Sequence, residues 1–394
     1  MFQRAKEELH INLSRFVIQM PTGSGKTRTA MEFITDFLNT YSGDCSIVWL
    51  AHSEELCEQS LQCFKEVWTH VAKKNLKLFR CWGDNVSLPY NFSGSAFIVA
   101  GFQKLWALYQ KNVIPFNELK KKNQLIIVDE AHKAIAPTYK KVTKALMGDS
   151  TRLIGLTATP GRGKDAIGEN KELSEFFFNK IFSIETPGNK SVISYLREKK
   201  VLAKVNAKPL ISGRTYTLTT KEKEYLAGNF DFPPGLLKTI ADDDIRNLEI
   251  IKRLDKECST GVSALFFACS IEHSKFICSL LIYLGHCAVH IDGSTDKNLR
   301  RQYLKDFKEK KIQVLCNYGV LSTGFDAPQT DLIFISRPTT SIVLYSQMVG
   351  RGLRGPAIGG TKTCKLIDVK DNIEGFSNYD HIYNYFEDYW KEDL

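Results

Sequence analysis

The stretch Phe16-Val17-Ile18-Gln19-Met20-Pro21-Thr22-Gly23-Ser24-Gly25-Lys26-Thr27 decides the fold. It opens with a short apolar run that fits a buried strand, and from about Arg28 the apolar spacing turns helical (MEFITDFLNTY). Between the two, Gly23 and Gly25 let the backbone curl so that successive N–H groups point inward, at the positive end of the following helix. Such a loop, built here from Pro21, Thr22, Gly23, Ser24 and Gly25, cradles phosphate oxygens. Lys26 would neutralise the outer phosphates, and the Thr27 hydroxyl would ligate Mg2+. The usual pattern needs a glycine where this chain has Met20, but the residues that supply the contacts are all present.

The same rhythm repeats downstream. Apolar runs at 46–50, 96–99, 125–128 and 153–156 read as buried strands with helix-length segments between most of them. Alternation of this kind implies a parallel sheet covered on both faces. A second series, at 264–268, 288–291, 313–316, 332–335 and 365–369, alternates with IEHSKFICSLLIYLG and the basic LRRQYLKDFKEKK. Between the two series, Pro233-Pro234 and Asp242-Asp243-Asp244 mark a boundary region. The expected organisation is a first lobe over 1–190, a partly helical connector over 191–245, a second lobe over 246–372, and an aromatic tail over 373–394 packed on the second lobe.

At 394 residues the chain has room for two or three domains. Lys and Arg outnumber Asp and Glu by 53 to 44, and the net charge of +9 suits a partner with a phosphate backbone. No apolar stretch approaches the ~20 residues of a membrane span, and MFQRAKEELH has no apolar signal core. The 10 cysteines form no C-x-x-C pair and no zinc-finger spacing. A cytoplasmic protein with reduced core cysteines and no membrane partner is expected.

A second chemical feature ends the run at 125–128. Asp129 and Glu130 follow that strand, at the end where open α/β sheets bind ligands. Asp129 would hold Mg2+ through water, and Glu130 would orient and deprotonate the water attacking a γ-phosphate. Alone, an acidic pair after a strand also fits a helix N-cap. Paired with the upstream loop, it reads as the other half of a nucleotide-hydrolysing site.

Five ordered segments carry a family resemblance: Gly23-Ser24-Gly25-Lys26-Thr27, Asp129-Glu130-Ala131-His132, Leu156-Thr157-Ala158-Thr159-Pro160, Ser322-Thr323-Gly324-Phe325-Asp326-Ala327 and Gln347-Met348-Val349-Gly350-Arg351-Gly352-Leu353-Arg354. They resemble the motifs of superfamily 2 DEAD/DEAH-box helicases, in the flavour of the type III restriction enzyme helicase subunit. The resemblance implies an α/β fold of two tandem RecA-like parallel-sheet lobes with the nucleotide cleft between them. It also implies ATP and Mg2+ as cofactors and nucleic acid as partner. On the same ground, Gly324 and Asp326 meet the nucleotide from the second lobe, and Gln347 joins the water and phosphate network. Arg351 and Arg354 match arginines that reach the γ-phosphate only when the lobes close.

Thr157-Ala158-Thr159 resembles the segment that couples hydrolysis to lobe movement, and its Leu-Thr-Ala-Thr-Pro form is typical of DNA-translocating branches. DNA is therefore favoured over RNA. The resemblance places His52, Phe102, Gln103, Ser270 and Thr323 along one strand's backbone, with Lys104, Arg162 and Lys164 as basic candidates. Gln3, behind Phe2, resembles the glutamine that reads adenine in many relatives; a surface position at a frayed chain end is the other reading. The implied activity is that of an ATP-dependent DNA helicase or translocase, with a DNA repair, restriction or phage-defence system as its setting. Specificity or nuclease function would then come from a protein partner. An RNA remodeller, or a catalytically weak nucleic-acid-binding subunit of a larger complex, is the alternative.

Overall fold

The computed structural model describes residues 1–86, 93–111, 114–161, 167–188, 190–229, 231–321 and 329–374. The chain divides into two compact units, Met1–Gly188 and Asn189–Leu394.

The first unit contains strands β1 (Arg15–Gln19), β2 (Ser46–Ala51), β3 (Lys77–Trp82), β4 (Asn85–Val86), β5 (Ala96–Gly101), β6 (Asn123–Asp129), β7 (Arg152–Thr157) and β8 (Ile181–Ser183). Its helices are α1 (Phe2–Leu9), α2 (Lys26–Thr40), α3 (Glu54–Val71), α4 (Phe102–Gln110), α5 (Ile114–Lys122), α6 (Pro137–Leu146) and α7 (Ile167–Phe176). The strands form one sheet in the order β4-β3-β5-β2-β6-β7-β1-β8. Its pairings are parallel except that of β3 with the two-residue β4.

Strands β2, β5 and β7 are buried at every position, as strands covered on both faces must be. Alternate residues of β2 serve the two faces. Ile47 and Trp49 pack in a cluster with Phe33 and Phe64, whereas Val48 and Leu50 join one with Phe102 and Leu105. Helix α3 starts cleanly because the Ser53 hydroxyl accepts from Leu56 N at 3.3 Å, with Glu54 and Glu55 in the first turn.

The second unit contains α8 (Val192–Glu198), β9 (Lys204–Ala207), β10 (Leu210–Thr217), α9 (Thr220–Gly228), α10 (Pro234–Ala241) and α11 (Asp244–Cys258). It continues with β11 (Ala264–Phe267), α12 (Ile271–Tyr283), β12 (Ala288–Ile291), α13 (Lys297–Lys308), β13 (Val314–Asn317), β14 (Leu332–Ile335), α14 (Ile342–Val349) and β15 (Thr363–Glu374). The sheet order is β10-β15-β14-β11-β13-β12, and β9 also pairs with β15. All of these pairings are parallel. Each unit is thus a parallel-sheet α/β domain of the expected RecA-like kind.

Residues 191–245 are more than a connector. They supply β9 and β10 to the second sheet, and Leu236, Leu237 and Ile240 of α10 pack with Tyr216, Cys269 and Ile373. Pro234 starts α10 from its first turn, where proline loses no hydrogen bond, so the proline pair marks a helix start rather than a break. The acidic triplet likewise caps a helix: Asp243 Oδ1 accepts from Arg246 N at 3.0 Å.

Arg246 itself is fully buried and grips Asp371 with two donors, Nε to Oδ1 at 2.9 Å and Nη2 to Oδ2 at 2.9 Å. Ser212 Oγ donates to the same carboxylate at 2.6 Å, tying β10 to β15 and α11. Ile373 and Glu374 close β15, and the rest of the expected aromatic tail lies outside the described residues. Among the described residues no helix is long and apolar enough to cross a membrane.

Candidate active site

The phosphate loop has the backbone its glycines predict. Gly23 and Gly25 take φ of 80° and 92°, the left-handed region that glycine enters without a Cβ clash. Ser24 closes the turn, its N and Oγ donating to the Pro21 carbonyl at 3.2 and 2.6 Å. Gly25 then caps α2, whose first residue is Lys26. Met20, in the place of the usual glycine, buries its side chain in the core and donates its N–H to Thr157 O at 3.1 Å.

Strand register brings the remaining groups to the same edge. Gln19 lies opposite Thr157, Leu156 opposite Asp129, Val128 opposite Leu50, and Ala51 opposite Gly101. The C-terminal ends of β1, β7, β6, β2 and β5 are therefore level, which places the loop, the Thr157 segment, the acid pair, His52 and Gln103 along one rim of the sheet. This is where parallel sheets bind ligands.

Glu130 turns the chain off β6 with φ 57° and ψ 60°, a left-handed conformation that costs a residue with a Cβ about 1–3 kcal/mol. The turn that follows, Ala131–Lys133, packs hard on β7: a Cβ at Gly155 would come within 2.7 Å of both Ala131 Cβ and the Phe177 ring. Burial first, then the Glu130 charge, pushes the Asp129 carboxyl up to about 7, while Lys26 pulls the other way. Burial also opposes ionisation of Glu130, but His132, Lys26, His52 and Lys133 together outweigh it and hold that carboxyl below its ordinary value. Lys26 is thus within electrostatic reach of both acids. The donor set suits Mg2+: the Thr27 hydroxyl and the Asp129 carboxylate are hard oxygens, and a dication would offset the burial that raises Asp129.

A relay leaves this acid pair toward β7. His132 Nδ1 lies 3.4 Å from Glu130 Oε2 and 3.4 Å from Thr157 Oγ1. The Thr157 hydroxyl donates to Thr159 O at 2.7 Å and accepts from Thr159 N at 3.1 Å. Its single proton is therefore spent, and His132 meets it as the Nδ1–H tautomer. Neither His132 nor Lys133 had a role in the sequence reading, although the position of both just after the acid pair was visible.

The nucleic-acid positions fare unevenly. Phe102 must be corrected: it is buried, 1% exposed, and stacks on Tyr139 at 3.9 Å between centroids, so its ring belongs to the core. Gln103 beside it is exposed on the first turn of α4, and Lys104 Nζ donates to Gly83 O at 2.8 Å. Ser270 caps α12, its Oγ accepting from His273 N at 3.0 Å, while the Glu272 N–H and then the Ser270 hydroxyl hold the Glu272 carboxyl below its ordinary value. The Phe2 ring packs 4.2 Å from Phe33 of α2, while Gln3 stays exposed and donates to Glu7 Oε1 at 3.2 Å. Arg162, Lys164, Thr323, Gly324 and Asp326 lie outside the described residues.

In the second unit Gln347 is buried in α14, and its Nε2 has no hydrogen-bond partner among the described residues. Arg351 stands in the 3-10 turn Gly350–Gly352, with Arg354 just beyond. This arginine loop is held by residues 200–203, which lie in the segment expected to be a connector. Ala203 N donates to Leu353 O at 2.8 Å, Gly355 N to Val201 O at 2.8 Å, and Ala357 N to Lys200 O at 3.0 Å. Gly355 and Gly360 leave no room for a Cβ, facing the carbonyls of Lys200 and Arg354 respectively.

Comparisons with known proteins agree with this arrangement. Residues 1–162 match the family model of the type III restriction enzyme res subunit, and residues 247–355 match the helicase conserved C-terminal domain. A 51.5 kDa protein of a Lactococcus phage is 29% identical over 379 residues, covering 95% of this chain and 71% of that protein. A Schizosaccharomyces pombe protein named as a mitochondrial ATP-dependent helicase, irc3, is 29% identical over 369 residues, covering 92% of this chain and 55% of its own length. The chain thus spans about half of that yeast relative.

Among solved structures, the helicase MrfA bound to DNA has a TM-score of 0.66 at 15% identity, covering 99% of this chain and 48% of that one. Saccharomyces cerevisiae Dbp5 bound to RNA and ADP BeF3 has a TM-score of 0.63 at 16% identity, covering 100% and 88%. At these identities the likeness is one of fold.

Proposed function

We propose that the chain is an ATP-dependent DNA helicase or translocase of superfamily 2, a reading supported by the res-subunit and helicase C-terminal models that residues 1–162 and 247–355 match. The observation that carries this proposal is the single sheet edge of the first unit. There Lys26, at the start of α2, stands within electrostatic reach of buried Asp129 and half-buried Glu130.

In this scheme the N–H groups of residues 22–27 and the Lys26 ammonium bind and orient the triphosphate. Thr27 and Asp129 would hold Mg2+, which when bound neutralises charge on the phosphate oxygens. Phosphate oxygens and water would supply the remaining ligands, as is usual for this ion. Glu130 aims the attacking water and takes its proton, while His132 keeps that carboxylate in line with Thr157. Arg351 and Arg354 act from the second unit, on a nucleotide held by the first, when the units close. Gly324 and Asp326 meet the nucleotide from the same unit, and Gln347 joins the phosphate network. Hydrolysis is thereby gated by closure.

The DNA track proposed for the first unit runs over His52 and Gln103, and Arg162 is a further basic contact of the same proposal. In the second it runs over Ser270 and Thr323. Small, hydroxyl and basic groups there contact phosphates and position the strand without reading its sequence. The Leu-Thr-Ala-Thr-Pro form of residues 156–160 supports DNA over RNA. A protein partner supplying specificity or nuclease function belongs to the same proposal. The test is ATP turnover of the purified chain with matched single-stranded DNA and RNA oligomers. DNA should stimulate it more strongly, and equal or greater stimulation by RNA would overturn the DNA assignment.

A further inference from the structure

The sheet rim of the second unit carries a cluster that plays no part in the scheme above. Tyr318 follows β13 and Arg337 follows β14, and the sheet order sets β11 between those two strands. Asn317 and Ile335, which close the two strands, both lie opposite Phe267 of β11. Tyr318 and Arg337 therefore leave the same rim about 10 Å apart, two strand spacings. Their side chains close that gap: the Arg337 guanidinium carbon stands over the Tyr318 ring, 5.5 Å from its centroid. The pair spans the exit of β11, where the chain passes through Ala268 and Cys269 to Ser270, the cap of α12.

An arginine at a nucleic-acid rim ordinarily goes to phosphate oxygens. Arg337 is committed elsewhere. Its Nη2 donates to Asp231 Oδ2 at 2.5 Å, and Asp231 is fixed in turn, its Oδ1 accepting from the N–H of buried Phe232 at 2.9 Å. With its charge countered by that carboxylate, Arg337 presents a flat plane to the ring. Its Nε is buried and has no hydrogen-bond partner among the described residues. Buried donors left in that state are rare, and a functional role is one of the usual reasons. Tyr318 is half-buried, and its hydroxyl makes no hydrogen bond among the described residues, so the ring is not held by its polar end.

We propose that Tyr318 is a stacking platform for an unpaired base of single-stranded DNA, with Arg337 as the positioning residue behind it. Every base has a π-face, so an aromatic ring holds a strand by its bases without selecting a sequence. Ser270 and Thr323 take phosphates in the proposed track, whereas Tyr318 adds a contact that only a base can make. This inference rests on the reading that the chain tracks a single strand, and the experiment separates the two.

The measurement is fluorescence anisotropy of the full chain with two single-stranded DNA oligomers of equal length, one of mixed sequence and one abasic throughout. Both carry the same phosphates, and only the first offers bases. The parent should bind the mixed-sequence oligomer about five- to hundredfold more tightly than the abasic one. Tyr318→Ala and Tyr318→Leu, the second keeping apolar bulk without a π-face, should lose most of that preference. Their affinity for the abasic oligomer should stay within about twofold of the parent's, since phosphate contacts are untouched. Tyr318→Phe should keep the preference, and Arg337→Gln should lower it part of the way. A parent that binds both oligomers equally would overturn the inference and leave the helicase reading standing. So would Tyr318→Ala and Tyr318→Leu chains that keep the preference, or that weaken on both oligomers alike. An unchanged preference in Arg337→Gln would remove that residue from its role. A parent that binds neither oligomer would defeat the tracking reading itself, and the inference with it.

Discussion

Lys26 and Phe102 mark the two extremes of what a residue discloses by its neighbours in sequence. The phosphate loop was legible because its chemistry is local: two glycines, a lysine and a threonine at fixed spacing need only a strand before them and a helix after. Lys26→Ala is expected to abolish ATP turnover while the melting temperature stays close to that of the parent, since Lys26 contributes charge rather than packing. Calorimetry and a phosphate-release assay check the two halves of that statement. The expected place of Phe102 along a nucleic-acid backbone needs correcting because a residue at a strand end looks the same in sequence whether its side chain faces a ligand or the core. Its stacking on Tyr139 decides the matter. Phe102→Ala should cost about 3–5 kcal/mol of stability in denaturant unfolding, as loss of a buried ring does. Its folded fraction should bind single-stranded DNA as tightly as the parent.

At the scale of elements, the strands that lie buried on both faces announced themselves as unbroken apolar runs. β10 did not, because its residues alternate between half-covered and exposed, and its partners in β15 lie 157–159 residues further along the chain. No local pattern reports a partner at that distance. The support of the arginine loop was hidden for the same reason: three main-chain hydrogen bonds between it and residues 200–203 leave no side-chain signature. Gly355 does carry a trace of it, being a glycine that has no room for a side chain. Gly355→Ala should push its new methyl into the Lys200 carbonyl and shift the loop. Turnover should then fall while the affinity for a fluorescent ATP analogue, bound by the first unit, stays unchanged. A variant with full turnover would mean that the loop tolerates displacement.

For the molecule as a whole, the sequence conveyed two α/β units in tandem, because each repeats the strand-and-helix rhythm. It could not convey where the second begins, since the boundary signals it offered were a helix start and a helix cap. Arg351→Ala tests whether the units act on one nucleotide. Turnover should drop by about 10³-fold or more, as when an arginine supplied from another domain is lost, with ATP affinity nearly intact. Equal turnover in the variant and the parent would separate that arginine from the chemistry.

The long β15 makes the second unit hard to isolate in shortened form. A fragment cut at residue 246, where the apolar rhythm resumes, would discard both β9 and β10 and strip one flank from β15. The naked flank would offer a row of unsatisfied amides to any other strand in solution. Such a fragment should clump into mixed oligomers. One that starts at residue 189 carries its own cover and should stay dispersed.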